Sequence, residues 1–133
     1  MPTSLNLLLN FTTKFADKVG VVFVLAPPPA ANVLVYANEY RLDPSRLAAP
    51  GNRLHFQVKN TGEDEHDLSI RRRAAGAPVL AATARVLPGA LAELDVTLPP
   101  GRYVLVCTVG DHAARGMQQG FTVTTRRKSS LRR

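Results

Sequence analysis

The chain has 133 residues, enough for one domain whose core can fold alone. It contains one Cys, which excludes an internal disulfide, a four-cysteine cluster and a binuclear copper centre bridged by two thiolates. The net charge of +7 is not typical of a nucleic-acid surface. Five positive charges lie in residues 126–133, with no aromatic residue among them. Residues 32–125 are close to neutral, with ten basic and nine acidic side chains.

The first 31 residues differ from the rest. Lys14 and Lys18 precede a short apolar run, Val19–Ala26, which ends in three prolines. The order of basic, apolar and small residues is typical of an export signal, and an extra N-terminal segment with a Pro-rich linker is the alternative. Eight apolar residues are too few to span a bilayer. We therefore predict an N-terminal extension over residues 1–31.

The chain from residue 32 to residue 124 consists of short apolar segments divided by Pro, Gly and Asn turns. Leu54, Phe56 and Val58 alternate with polar residues, as in a half-buried strand. The strands predicted in this way are Val33–Ala37 continuing to a break at Pro44, Arg53–Lys59, Asp67–Ile70, Arg85–Leu87, Leu94–Leu98, Tyr103–Cys107 and Phe121–Val123. No window has a sustained helical period. About seven to eight strands at this spacing predict an all-β sandwich.

Residues 125–133 form a basic tail. A short run of this kind is usually solvated, and weak attraction to an anionic membrane or an acidic partner is the alternative.

Four side chains indicate a metal site. Cys107, His112 and Met117 are spaced five residues apart on one predicted loop, and His66 lies about forty residues upstream at the start of a strand. Two imidazoles, one thiolate and one weak thioether are the ligand set of a mononuclear blue copper site. Since the chain has only two Met and one Cys, the placement of both sulfur atoms around a His is a specific signal.

The strand pattern places these residues at one end of the sandwich. Cys107 ends a predicted strand, and the following loop contains Gly110, Gly116 and Gly120, which permit tight backbone turns. Taken singly, Cys107 and Met117 are more typical of a buried core than of a metal site, and His66 is more typical of an exposed, charge-paired imidazole. The polar-face residue His55 is assigned no role.

Other chemistries fit less well. Zinc accepts Cys and two His, but a thioether is a poor fourth ligand for it. The acidic residues from Glu63 to Asp67 lack the alternating positions and the glycine of a calcium loop. The sequence has neither a nucleophile elbow nor a phosphate-binding glycine loop.

The segment from Tyr103 to Met117, YVLVCTVGDHAARGM, resembles the ligand loop of the cupredoxins, the small blue copper proteins. The segment from Asn60 to Leu68, NTGEDEHDL, resembles the first-histidine segment of that family, and Ala37–Pro50 with Gly51 its opening strand and turn. The resemblance covers residues 32–124 and implies a Greek-key sandwich. It also implies that His66, Cys107 and His112 are strong equatorial copper ligands and that Met117 is a long axial one.

One position departs from the family. Many cupredoxins have Asn directly after the first ligand His, where it ties the two ligand loops together, and this chain has Asp67. We expect that carboxylate to accept a hydrogen bond from Thr108. Its negative charge would favour Cu(II) and lower the reduction potential.

The resemblance implies a one-electron carrier, not an enzyme, because protein ligands fill all four positions. Its redox partners would dock near an exposed edge of His112, beside Ala113, Ala114 and Arg115. Copper redox proteins of this kind are usually exported, so we expect a periplasmic or other exported monomer, with weak membrane association through its termini. Delivery or storage of Cu(I) and a metal-free interaction module are the alternatives.

Overall fold

The computed structural model describes residues 30–126, and this part of the chain forms nine strands and no helix. The strands are β1 (Ala31–Asn38), β2 (Arg41–Pro44), β3 (Ala48–Pro50), β4 (Arg53–Asn60), β5 (Ser69–Arg72), β6 (Val79–Ala82), β7 (Leu91–Thr97), β8 (Gly101–Val106) and β9 (Gln118–Thr124).

Two mixed sheets make up the fold. One has the strand order β2-β1-β4-β7, and the other has the order β3-β9-β8-β5-β6. Two strand pairs, β1 with β4 and β3 with β9, are parallel, and the remaining pairs are antiparallel. The chain crosses repeatedly between the two sheets and encloses one core. Strands β4 and β7 lie in the first sheet, and the pairs β5–β6 and β8–β9, which follow them along the chain, lie in the second.

The core follows from the alternation of side chains along the strands. In β4, Leu54, Phe56 and Val58 face inward and are fully buried, while the residues between them face outward. Phe56 packs edge-to-face on Phe121 of the opposite sheet, with 5.5 Å between the ring centroids. Burial of each such side chain stabilises the fold by about 1.5–3 kcal/mol before the entropy cost of ordering it.

The predicted all-β sandwich is confirmed, with nine strands in place of seven to eight. Strand β6 was missed because Val79 and Leu80 are exposed at a sheet edge and have no alternating pattern. The strand predicted at Arg85–Leu87 is wrong, since only Val86 pairs there, in a single bridge with His66. The strand predicted at Asp67–Ile70 begins two residues later, because Asp67 turns toward a neighbouring loop.

The predicted N-terminal extension and basic tail lie almost wholly outside the described residues. Within residues 30–126, no helix is long and apolar enough to cross a membrane.

Candidate metal centre

Three of the four predicted ligand residues meet at one end of the sandwich. Nδ1 of His66 lies 3.9 Å from Sγ of Cys107, and Nδ1 of His112 lies 3.6 Å from the same sulfur. The ligand atoms of the three residues all lie within 4.8 Å of one another, and all three residues are buried. The sequence therefore correctly predicted that they come together across a separation of forty residues.

The loop after β8 presents two of these side chains. Cys107 directly follows β8, and its backbone N–H donates to the carbonyl of Met117, 3.1 Å away. The N–H of Met117 in turn donates to the carbonyl of His112, also at 3.1 Å. Gly110 and Gly116 have φ angles of 49° and 106°, which favour glycine, so the predicted role of these two residues in the tight loop is explained.

Met117 closes the same loop at the start of β9. Its side chain is fully buried and belongs to the same core cluster as Cys107. The backbone bonds to Cys107 and His112 hold it against the candidate site. Its role as the axial ligand stays a prediction.

His66 is held by a loop between β4 and β5. Its backbone exchanges hydrogen bonds with Val86, at 3.2 and 2.7 Å. The buried amide of Asn60 donates to the carbonyls of Asp64 and Val86, both at 2.8 Å, and accepts from the N–H of Gly62. Asn60 thus holds two backbone segments next to His66, one at Asp64 and one at Val86. The sequence indicated only a turn at Asn60, because its partner Val86 is 26 residues away.

The predicted link between the two ligand loops is present. Asp67 accepts hydrogen bonds from the backbone N–H of Thr108 at 2.7 Å and from its hydroxyl at 2.5 Å. Since Asp67 directly follows His66 and Thr108 directly follows Cys107, these bonds fix the distance between two candidate ligands.

Burial controls the protonation of the metal-free site. It raises the pKa of the Cys107 thiol, an effect that hydrogen bonds from the backbone N–H groups of Asp67 and Val109 oppose. Burial also lowers the pKa of His66, against the opposing charge of Glu39. The metal-free site therefore favours a neutral thiol and a neutral imidazole, and a metal that binds the thiolate must displace the thiol proton.

His112 lies nearest the surface. It is 7% exposed, whereas His66, Cys107 and Met117 are fully buried. The ring of Tyr40 contacts that of His112 edge-on at 5.1 Å, and the guanidinium of Arg115 covers Tyr40. The expected exposed edge of His112 is therefore small, because Tyr40 packs against the ring. No sequence pattern predicted this contact between residues 72 positions apart.

His55 lies on the outer face of β4, where its ring nitrogens approach Glu93 at 3.2 Å and Asp95 at 2.6 Å. It takes no part in the cluster.

Comparison with known proteins shows a similarity in structure. No protein-family model and no curated protein matches the chain. Auracyanin B has a TM-score of 0.65 at 22% identity, and the match covers 76% of this chain and 94% of that one. A dithionite-reduced auracyanin from the photosynthetic bacterium Roseiflexus castenholzii has a TM-score of 0.56 at 23% identity, with coverages of 74% and 99%.

A third solved structure is auracyanin A, a "blue" copper protein from the green thermophilic photosynthetic bacterium Chloroflexus aurantiacus. It has a TM-score of 0.62 at 15% identity, and the match covers 72% of this chain and 100% of that one. The chain has the cupredoxin fold. The fold predicted from the two ligand-loop motifs is thus confirmed, and the His-Cys-His cluster lies where the two loops of this cupredoxin fold meet.

The donor set fits a single soft metal ion. Each imidazole turns Nδ1 toward one sulfur at 3.6 or 3.9 Å. One metal ion can lie between the sulfur and each of these nitrogens, because a metal–sulfur bond of about 2.3 Å and a metal–nitrogen bond of about 2.0 Å together exceed both separations. One sulfur and two imidazole nitrogens in a buried site favour copper, and no carboxylate is among the three donors.

Proposed function

We propose that the protein binds one mononuclear type 1 copper ion and acts as a one-electron carrier between redox partners. The observation that carries this proposal is the convergence of one ligand atom each from His66, Cys107 and His112 within 4.8 Å in a buried site, with Nδ1 of both imidazoles facing the sulfur. The three residues would be the strong ligands, and Met117 the weak axial one. Copper would supply the Cu(I)/Cu(II) couple.

The chain holds these donors in a rigid frame. The bonds from Cys107 to Met117, from Met117 to His112 and from Thr108 to Asp67 limit the movement of the ligand loops. Because His66, Cys107 and Met117 expose no surface, water is excluded from most of the site. A frame of this kind supports fast electron transfer, because neither ligands nor solvent need to reorganise. It also supports a carrier in preference to an enzyme, since the four ligands would leave no open position for substrate.

Redox partners would dock near His112, the candidate ligand that lies nearest the surface. Ala113 is half-buried there, and Ala114 and Arg115 are exposed. An encounter surface of this kind is small and supports weak, transient binding. The proposal further includes a monomeric cupredoxin domain over residues 32–124, an exported location such as the periplasm, and weak membrane association through the termini.

The deciding experiment is the visible and electron-paramagnetic-resonance spectrum after addition of Cu(II), for the wild-type protein, Cys107→Ser and the control His55→Gln. We expect an intense blue charge-transfer band and a narrow copper hyperfine splitting in the wild type and in the control, and neither in Cys107→Ser.

If the wild-type protein is colourless and binds only Cu(I), its function is delivery or storage of Cu(I) and not electron transfer. A protein that binds neither ion would be a metal-free interaction module.

A further inference from the structure

The outer nitrogen of His66 faces a carboxylate from a distant part of the chain. Nε2 of His66 lies 3.4 Å from Oε2 of Glu39, within ion-pair distance. Nε2 is fully buried and has no hydrogen-bond partner among the described residues, so the geometry of this pair falls just short of a hydrogen bond. Glu39 precedes β2 and is 27 residues from His66, and no sequence pattern predicted this contact.

Metal binding at Nδ1 of His66 determines which ring nitrogen carries the proton. Nδ1 of His66 faces Cys107 Sγ, so a metal held there takes the Nδ1 lone pair. The ring proton must then reside on Nε2, because a neutral imidazole carries one proton. That N–H is buried and has Oε2 of Glu39 as the anionic acceptor in front of it.

We propose that Glu39 is a positioning residue for the copper site: its carboxylate accepts the Nε2–H of His66, orients Nδ1 toward the metal and favours Cu(II) over Cu(I). This inference rests on the proposed copper function. Carboxylates that accept from a metal-bound histidine hold its tautomer and ring orientation and increase its basicity. Negative charge beside the ligand also stabilises the more positive oxidation state of the metal.

Glu39 is itself held in place by the loop that carries His66. Its Oε2 accepts from the backbone N–H groups of Glu63 at 2.8 Å and Asp64 at 2.5 Å. The hydrogen bond from the Asp64 N–H lowers the pKa of Glu39. The side chain of Glu39 is 24% exposed, so the protein shields most of it from water. Two loops are thus joined at one anionic group behind His66.

Gly62 is necessary for this close approach. A Cβ at position 62 would lie less than 3.0 Å from both carboxylate oxygens of Glu39. Since Gly62 does not have a left-handed φ, alanine suits the backbone there, and the flexible end of Glu39 is the group that must move. Gly62→Ala therefore displaces the carboxylate but keeps its charge.

The test compares Glu39→Gln and Gly62→Ala with Glu63→Gln, which removes an exposed charge from the same loop. Each protein is titrated with Cu(II) and Cu(I), its midpoint potential is measured, and the His66 imidazole is observed by ¹⁵N NMR in the diamagnetic Cu(I) form. We expect both test variants to lose about 10- to 100-fold in Cu(II) affinity. A smaller loss for Cu(I) raises the potential, by about 59 mV for each tenfold difference. The Nε2–H resonance of His66 should shift, and Glu63→Gln should resemble the wild type.

Each outcome has a distinct meaning. A blue wild-type protein whose two test variants keep the potential and the Nε2–H resonance overturns the role of Glu39 and leaves the proposed function intact. The same holds if the variants lose only stability to urea, because Glu39 then serves the loop alone. A wild-type protein without the blue band overturns the proposed function and, with it, this inference.

Discussion

The contact between Asp67 and Thr108 allows a sharp test of how the two ligand loops are joined. Asp67 is 7% exposed and accepts two hydrogen bonds from Thr108, one from the N–H and one from the hydroxyl. Asp67→Ala removes both bonds. Thr108→Val removes the hydroxyl bond alone and keeps the branched shape of the side chain. The two substitutions and their combination form a double-mutant cycle.

The magnitude follows from the number and the kind of the bonds. A hydrogen bond to a charged group contributes about 1.5–3 kcal/mol. Because Thr108 is exposed, we take the lower value, so Asp67→Ala should cost about 3 kcal/mol and Thr108→Val about 1.5 kcal/mol. The coupling between the two residues should then be about 1.5 kcal/mol. In a chain of this size, a loss of 3 kcal/mol lowers the Tm by about 12 °C.

Urea unfolding of the metal-free protein in the presence of reductant measures these values without any contribution from copper. Asp43→Ala is the matched control, because it removes an acidic group whose ion pair with Arg41 is exposed, and it should cost less than about 0.5 kcal/mol. A coupling energy below about 0.3 kcal/mol would contradict a direct contact between Asp67 and Thr108, since the two substitutions would then act independently.

Three further predictions concern residues around the site and in the core. Asn60→Ala removes three hydrogen bonds and should lower the free energy of unfolding in urea by about 2–3 kcal/mol. The control Asn38→Ala, which removes an exposed 3.5 Å contact, should have almost no effect, and equal losses in the two variants would contradict the prediction. Phe56→Leu should lower the free energy of unfolding by about 1–2 kcal/mol, since it loses the ring contact with Phe121, and an unchanged Tm would argue against tight packing there. His66→Gln should abolish the blue band while His55→Gln leaves copper binding intact, and the reverse result would exclude the proposed ligand set.

Features with a local sequence pattern could be predicted before the fold was known. The alternation of Leu54, Phe56 and Val58 predicted β4, because the two faces of a strand differ in burial. The spacing of Cys107, His112 and Met117 on one short loop predicted that they lie close together. In both cases, neighbours in sequence carry the information. The hydrogen bonds between Asp67 and Thr108 join residues 41 positions apart, and they were expected from the resemblance to the cupredoxins and not from a local pattern.

Contacts between distant segments depend on how the two sheets pack. The parallel pairing of β1 with β4 and the exposed edge strand β6 have no local signature. The same is true of Glu39 behind His66, of Tyr40 beside His112 and of Asn60 bonded to Val86. The contacts of Glu39, Tyr40 and Asn60 join residues 26 to 72 positions apart. They form because the packed sheets bring several loops to one end of the sandwich. Buried polar groups there need hydrogen-bond partners, and the groups within reach belong to segments that are distant in sequence.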